Sequence, residues 1–211
     1  MTEPDPEFRA GFVALIGRPN VGKSTLLNRF VEQKISIVSG KPQTTRQRVL
    51  GIKTTANAQL VFIDTPGLHG GQRKEINRQM NRAAAGAALD ADLVLWVVEA
   101  PRWQEGDEFV LERLANSPHP VGIVVNKVDR VKPRDRLLPY LQEVAAKRDF
   151  AFITPVSAAN GENVDRLEQV VVEHLPVSPP LFPADQVTDL PQRSWAAEII
   201  REKLLEVLRE E

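Results

Sequence analysis

The chain has 211 residues, more than the roughly 100–150 of a common single domain, so we expect one α/β domain with an appendage. Its 27 Lys and Arg nearly balance 28 Asp and Glu, which excludes a global positive field that would recruit nucleic acid or an anionic membrane. Cysteine is absent, which excludes disulfides and thiolate metal sites and fits a reducing compartment. Without a secretion signal in residues 1–11 or an apolar run of roughly 20 residues, a cytoplasmic location is expected.

The first elements are indicated by short apolar runs. Residues 12–16 are β-rich and closed by Gly17, which predicts a buried strand that feeds a loop. From Lys23 to Val31 the apolar positions recur at helical spacing. Residues 47–55 and 58–64 predict two strands joined by a turn, and therefore one antiparallel pair.

Three strand-then-helix units follow along the chain. They comprise residues 93–98 and 107–116, 121–125 and 134–148, and 152–156 and 164–174. This alternation predicts an α/β fold with a mostly parallel six-stranded sheet, one antiparallel strand and helices on both faces.

The last part of the chain changes in composition. Prolines crowd the segment after residue 175, which favours an extended linker over residues 177–193 and ends a first domain at residues 8–176. Residues 194–208 predict an amphipathic helix whose apolar stripe must cover something, and the alternatives are that it docks on the first domain or stays exposed and promotes self-association. The stripe consists of Trp195, Ile199, Leu204, Leu205 and Leu208.

A phosphate-binding loop is indicated between the first strand and the first helix. The string reads Gly17-Arg18-Pro19-Asn20-Val21-Gly22-Lys23-Ser24. Its glycines allow a tight turn that points successive amides at phosphate oxygens, and the helix dipole adds positive potential. Lys23 is predicted to reach the β- and γ-phosphates, and the Ser24 hydroxyl to bind Mg²⁺.

Two further segments are predicted to respond to the γ-phosphate. Asp64 ends a strand and would hold Mg²⁺, while the amide of Gly67 would approach the γ-phosphate. Thr45, with Thr44 before it, lies in the polar stretch after the first helix and is expected to complete the Mg²⁺ coordination. The alternative for both threonines is that they only help a loop enter a strand.

The base is predicted to be guanine. Asn126-Lys127-Val128-Asp129 follows a strand, and Asp129 offers only acceptors, which match the N1–H and amino donors of guanine but not the N1 acceptor of adenine. The Asn126 side chain can bridge the base and the phosphate loop. Ser157-Ala158, after the last strand, places a backbone amide where it would meet guanine O6.

Together these motifs resemble the Era family, bacterial ribosome-assembly GTPases with a Ras-like P-loop GTPase domain followed by an RNA-binding KH domain. The more specific strings are Pro42-Gln43-Thr44-Thr45-Arg46, Asp64-Thr65-Pro66-Gly67-Leu68-His69 and the late segment from Gln192 to Leu204. The resemblance implies GTP and GDP binding, slow hydrolysis, and association with 16S rRNA and the 30S ribosomal subunit. It also implies a peripheral membrane contact as a candidate, and we expect a monomer.

The same resemblance makes residues 194–211 the first helix of a truncated KH-like domain, without the Gly-x-x-Gly loop that clamps RNA. Leu68 stands where Ras-type switches carry the water-orienting glutamine, so slow turnover is expected. Asn20 is a candidate K⁺ ligand by analogy with members of the group, the alternative being that it only stabilises the phosphate loop.

The leading hypothesis is a Mg²⁺-dependent GTPase with Lys23, Thr45, Asp64 and Gly67 in catalytic roles, K⁺ as a candidate second cofactor, and Ser24, Thr45 and Asp64 as Mg²⁺ ligands. The alternative is a nucleotide-gated binding module with negligible hydrolysis until a partner activates it, switched by residues 41–48 and 64–74. The predicted GTP contacts are Gly17, Arg18, Pro19, Asn20, Val21, Gly22, Lys23, Ser24, Thr25, Thr44, Asp64, Thr65, Pro66, Gly67, Leu68, Asn126, Lys127, Val128, Asp129, Ser157 and Ala158.

Overall fold

The computed structural model describes residues 7–38, 48–68 and 75–207. The strands are β1 (Arg9–Ile16), β2 (Val49–Thr54), β3 (Ala58–Asp64), β4 (Leu93–Glu99), β5 (Val121–Asn126) and β6 (Phe152–Pro155). The helices are α1 (Lys23–Val31), α2 (Glu75–Asp90), α3 (Glu105–Leu114), α4 (Leu137–Ala145), α5 (Val164–Glu173) and α6 (Gln192–Val207). Short 3₁₀ turns occupy Val128–Arg130 and Arg134–Arg136.

The strands form one six-stranded sheet in the order β2-β3-β1-β4-β5-β6. Only the β2–β3 pair is antiparallel, and the other four pairs are parallel. The predicted fold class is therefore confirmed, including the single antiparallel strand. Because the parallel strands share one direction, the loops after β1, β3, β4, β5 and β6 meet at one edge of the sheet.

The sheet is buried on both faces. Along β4, Val94, Trp96 and Val98 face the cluster that includes residues of α2, α3 and α4, while the residues between them face α1 and α5. A strand covered on both sides reads as a continuous apolar run rather than an alternating one, which is why β4 and β5 were recognisable in the sequence. The Phe30 and Phe62 rings stack at 4.5 Å between α1 and β3.

Helix α2 is absent from the sequence expectations. Among residues 81–90, whose side chains the structure describes, the buried positions are Ala84, Ala87 and Ala88, which do not give the pattern of large apolar side chains that reveals a helix. The predicted helix at 134–148 was wrong at its start, where Arg134–Arg136 forms a 3₁₀ turn and α4 begins at Leu137.

The proline-rich segment runs back along the domain instead of leaving it. The fully buried Gln59 side chain accepts from the amides of Leu181 and Phe182 at 2.7 and 2.9 Å. Further on, Ile52 N donates to Val187 O at 2.9 Å, and the Thr188 hydroxyl donates to Leu50 O at 2.8 Å. The contacts with Ile52 and Leu50 cover the outer edge of β2, which would otherwise present unpaired backbone groups.

Part of the predicted apolar stripe of helix α6 is exposed. Ile199 and Leu204 are 39% and 52% exposed, while the Leu205 side chain and Leu208 lie outside the part of the chain that the structure describes. The helix contacts the domain through Trp195, whose indole N–H donates to Lys34 O at 2.8 Å, and through the buried Glu202. In the described parts of the chain, no helix combines the length and apolar character needed to cross a membrane.

We expect Gly51→Ala to destabilise the fold by about 1–3 kcal/mol, because a Cβ at this position would lie 2.5 Å from Leu27 Cδ1 and 2.8 Å from Ile35 Cδ1. Gly86→Ala on α2 is the control, since nothing lies within 4 Å of its Cβ position and helix propensity favours alanine by about 1 kcal/mol. Urea unfolding of both variants measures the difference in free energy. Equal stability of the two variants would contradict the tight packing at Gly51.

Candidate nucleotide-binding site

The phosphate loop connects the end of β1 to the start of α1. Gly22 is the N-cap of α1 and has φ 102°, a left-handed conformation that favours glycine. It has no side chain to accept from the first helical amides, which include those of Ser24 and Thr25, so these amides remain directed toward the predicted phosphates. A Cβ on Gly22 would also lie 2.3 Å from Asn126 Nδ2.

The Lys23 ammonium is buried within this loop. Its Nζ donates to Gly17 O at 3.0 Å and to Arg18 O at 2.9 Å. Burial lowers the pKa of Lys23 to about 8, an effect that the Asp64 carboxylate partly opposes and the Arg18 guanidinium increases. The ammonium is thus held among carbonyl groups beside the loop that is predicted to bind phosphate.

The predicted Mg²⁺ ligands Asp64 and Ser24 lie together. Asp64 is fully buried at the end of β3, and its Oδ2 accepts from Ser24 Oγ at 2.7 Å and from Ser36 Oγ at 2.8 Å. A carboxylate with hydroxyl groups is a hard oxygen donor set, which fits Mg²⁺. Among the described residues, no group of three or more His, Cys, Asp or Glu side chains is placed so that it could hold a metal ion.

Ser36 was not found by sequence reasoning. It lies on the loop after α1 and is held by the Asn28 side chain, which accepts from Ser36 N at 2.9 Å and donates to Ser36 O at 2.8 Å. No motif includes either residue, so only the folded loop brings this hydroxyl to Asp64. Thr44 and Thr45, the predicted switch threonines, lie outside the described residues.

The segment after β3 is seated against the phosphate loop. A Cβ on Gly67 would lie 2.7 Å from Pro19 N and 2.8 Å from Pro19 Cα, so only glycine permits this approach. The Leu68 amide donates to Gly17 O at 3.1 Å, and its side chain is buried in the core. Thr65 and Pro66, which precede Gly67, are also buried. The Thr65 hydroxyl donates to Leu15 O at 2.7 Å.

Asn126 joins three loops that are distant in sequence. Its Nδ2 donates to Val21 O at 2.8 Å, and its Oδ1 accepts from Ala158 N at 3.0 Å. A backbone amide of Ser157-Ala158 is predicted to meet guanine O6, and the structure shows the Ala158 amide as a donor to Asn126. The buried Ser157 amide donates to Glu162 O at 3.0 Å, which fixes the start of the same loop.

The predicted base-reading residues follow Asn126. Val128 is buried and its amide donates to Val156 O at 3.2 Å, which anchors the turn that carries Asp129. Asp129 Oδ1 is buried and has no hydrogen-bond partner among the described residues. A buried acceptor without a donor is costly, so this atom is suited to the N–H groups of a ligand.

The Arg18 side chain, a predicted GTP contact, is held by acidic groups. Its Nε lies 3.2 Å from Asp107 Oδ2, and its Nη2 lies 3.2 Å from Glu99 Oε2. Burial raises the pKa of Asp107, and the Arg18 guanidinium opposes that rise. Sequence reasoning missed both acids, and also Arg29, which donates to Ala159 O at 2.6 Å and supports the 157–158 loop.

Comparison with protein families gives one match over residues 12–127, to a family described as "50S ribosome-binding GTPase". Among curated proteins, GTPase Era of Marinobacter nauticus is 51% identical over 205 residues, covering 97% of this chain and 67% of the relative. GTPase Era of Haemophilus influenzae is 50% identical over 211 residues, covering 100% of this chain and 70% of the relative.

Two solved structures are similar over 97% of this chain and 69% of their own. One is Era in complex with MgGDPNP and nucleotides 1506–1542 of 16S ribosomal RNA, with a TM-score of 0.90 and 41% identity. The other is a variant of Aquifex aeolicus Era bound to GDP and AlF₄⁻, with a TM-score of 0.89 and 40% identity. The RNA in the first complex belongs to 16S rRNA, whereas the description of the matched family names the 50S ribosome.

Because the pKa of Lys23 is lowered to about 8, its amine is mostly neutral at about pH 9 and charged at about pH 7. A phosphate beside it favours the charged form, so binding of Mg²⁺–GDP is expected to take up close to one proton at about pH 9 and almost none from Lys23 at about pH 7. Isothermal titration calorimetry in buffers of different ionisation enthalpy measures this uptake.

Lys23→Arg is the matched control for proton uptake, since a guanidinium stays protonated throughout this range. The variant should lose the uptake at about pH 9 at whatever affinity it retains. Equal uptake by the parent chain and the variant would show that the proton goes to another group.

Proposed function

Because this chain belongs to the Era family of GTPases, we propose that it is a Mg²⁺-dependent molecular switch that binds GTP and GDP, hydrolyses GTP slowly, and acts in small ribosomal subunit assembly through 16S rRNA. The observation that carries the nucleotide assignment is the buried, unpartnered Asp129 Oδ1 beside the Asn126 link.

Guanine is selected by Asp129. A carboxylate accepts from the N1–H and the 2-amino group of guanine, which supplies the donors that its buried oxygen requires. Adenine presents an acceptor at N1, and a site with an unpaired buried acceptor rejects such a ligand by roughly 10⁴-fold or more. The Ala158 amide donates to Asn126 Oδ1 at 3.0 Å, so guanine O6 would compete with that oxygen for the same N–H.

The phosphates are bound by the loop of residues 17–24 and by the Lys23 ammonium. Ser24, Asp64 and Thr45 are the proposed protein ligands of Mg²⁺, which supplies positive charge at the β- and γ-phosphates. The bond between Ser24 and Asp64 supports the first two assignments. Ser36 holds the same carboxylate oxygen and orients Asp64 from the opposite loop.

Intrinsic hydrolysis is proposed to be slow because the residue after Gly67 is a leucine whose side chain is buried in the core. Leucine has no group to orient an attacking water. The same observation favours the second candidate, a nucleotide-gated binding module that hydrolyses GTP only when a partner supplies the missing group. K⁺, held in part by Asn20, is the proposed cation that stimulates the intrinsic reaction.

Association with 16S rRNA is proposed because the similar Era structure is a complex with nucleotides 1506–1542 of 16S ribosomal RNA. In this assignment, residues 8–176 form the GTPase domain, residues 177–193 the connection and residues 194–211 the start of the RNA-binding part. The contacts of Trp195 and Glu202 with the loop after α1 support communication between α6 and the nucleotide site.

We expect Asp129→Asn to weaken GTP binding at least about 100-fold, because the amide nitrogen presents donors to the donors of guanine. Xanthine carries an acceptor at position 2, so the variant should bind XTP more tightly than GTP. Fluorescence titration with labelled GTP, XTP and ATP measures the three affinities. Asp135→Asn, on an exposed turn outside the site, is the control and should bind GTP like the parent chain.

An unchanged preference for GTP in Asp129→Asn would refute the assignment of the base. Equal affinity of the parent chain for ATP and GTP would refute the nucleotide assignment as a whole. Xanthine selectivity in the variant is diagnostic because a merely unfolded variant would bind none of the three nucleotides.

We expect phosphate release from bound GTP to be faster in K⁺ than in Na⁺, and Asn20→Ala to lose this difference while it retains GTP binding. Single-turnover measurements with saturating Mg²⁺ test this. Equal rates in both salts would exclude K⁺ stimulation. No measurable release in either salt would favour the partner-activated binding module.

A further inference from the structure

Glu99 connects the two halves of the proposed nucleotide site. It is the last residue of β4 and lies beside Asn126, the last residue of β5, in the parallel register. Its Oε2 lies 3.2 Å from Arg18 Nη2 in the phosphate loop, and its Oε1 lies 3.0 Å from Lys127 Nζ in the base-reading loop. One carboxylate therefore contacts both loops, although no recognised motif includes it.

The contact with Lys127 has a further link. Lys127 Nζ also donates to Asn20 O at 2.7 Å, so the ammonium lies between the Glu99 carboxylate and the backbone of the phosphate loop. Lys127 and Asn20 have φ values of 65° and 63°, so both ends of this link are in the left-handed region, which is uncommon for side-chain-bearing residues. A fixed ammonium position therefore restrains two unusual backbone conformations at once.

Arg18 has a second acidic partner and does not depend on Glu99 alone. Asp107 is fully buried in the first turn of α3, where its carboxylate accepts from Gln104 N at 3.0 Å and pairs with Arg18 Nε at 3.2 Å. When Glu99 is neutralised, Arg18 keeps the Asp107 contact, whereas Lys127 loses its carboxylate. The two roles of Glu99 are separable in this way.

We propose that Glu99 is a positioning residue for nucleotide binding, which holds the Lys127 ammonium on the phosphate loop and thereby fixes the spacing between the base-reading and phosphate-binding loops. This inference rests on the proposed function of the site. The Lys127 and Glu99 side chains are 20% and 26% exposed, and a pair this accessible contributes little to global stability. Its effect is expected in nucleotide affinity instead.

The test is a double-mutant cycle of Glu99→Gln and Lys127→Met, with dissociation constants for GDP and GTP measured on the full chain. Glu99→Gln keeps the shape of the side chain and removes its charge. We expect it to weaken GDP and GTP binding by the same factor, about tenfold, since both nucleotides span the two loops. In the Lys127→Met background, Glu99→Gln is expected to weaken GDP and GTP binding less than about twofold.

Glu168→Gln is the matched control, because Glu168 forms a comparably exposed ion pair with Lys53 at 2.8 Å, between α5 and β2. It should change the affinities less than about twofold. Thermal unfolding of every variant distinguishes altered positioning from loss of fold, and discrimination between GTP and ATP should persist in Glu99→Gln because Asp129 is untouched.

An equal loss of nucleotide affinity on Glu99→Gln in the parent and Lys127→Met backgrounds would overturn the proposal. Unchanged nucleotide affinity in the Glu99→Gln variant would overturn it too. A loss of affinity that tracks a lowered unfolding temperature would assign Glu99 a purely structural role and overturn it too. Failure of the parent chain to bind guanine nucleotides would instead refute the proposed function, so the two failures are distinguishable.

Discussion

The candidate site depends on the Asn126 side chain more than on any other group. Its amide joins Val21, 105 residues earlier, to Ala158, 32 residues later. It thereby fixes the position of the phosphate loop relative to the 157–158 loop. The bonds require that nothing occupies the space beside Gly22, where a Cβ would lie 2.3 Å from Asn126 Nδ2. A glycine selected for its backbone conformation thus also makes room for the side chain that organises the site.

Near Asn126 lie buried charged side chains whose hydrogen-bond partners come from several loops. Lys23 is surrounded by carbonyl oxygens near Asp64, and Asp64 accepts from hydroxyls on two different segments. The loop that supplies Ser36 is bounded on its other side by α6, where Glu202 accepts from Val38 N at 3.1 Å. Buried charges are costly without such partners, so the position of α6 and the geometry around Asp64 are physically connected.

Sequence patterns predicted the sheet well because a strand buried on both faces is a continuous apolar run, as in β4 and β5. They failed for α2, whose buried residues within 81–90 are alanines, and they did not show that in α6 the apolar residues Ile199 and Leu204 are exposed while an acid, Glu202, is buried. In both helices the partner surface decides which residues are covered. Helical periodicity alone contains no information about that surface.

The sequence by itself determined which chemistry is expected of the site, since the phosphate loop, Asp64, Asn126 and Asp129 lie in short motifs whose residue types and spacing suffice to predict phosphate, metal and guanine recognition. Only the tertiary structure decided which groups hold these motifs in place. Ser36, Glu99 and Asp107 belong to no motif, and their contacts join loops separated by 28, 81 and 89 residues. Such contacts arise from the convergence of parallel strands at one edge of the sheet, which no local pattern encodes.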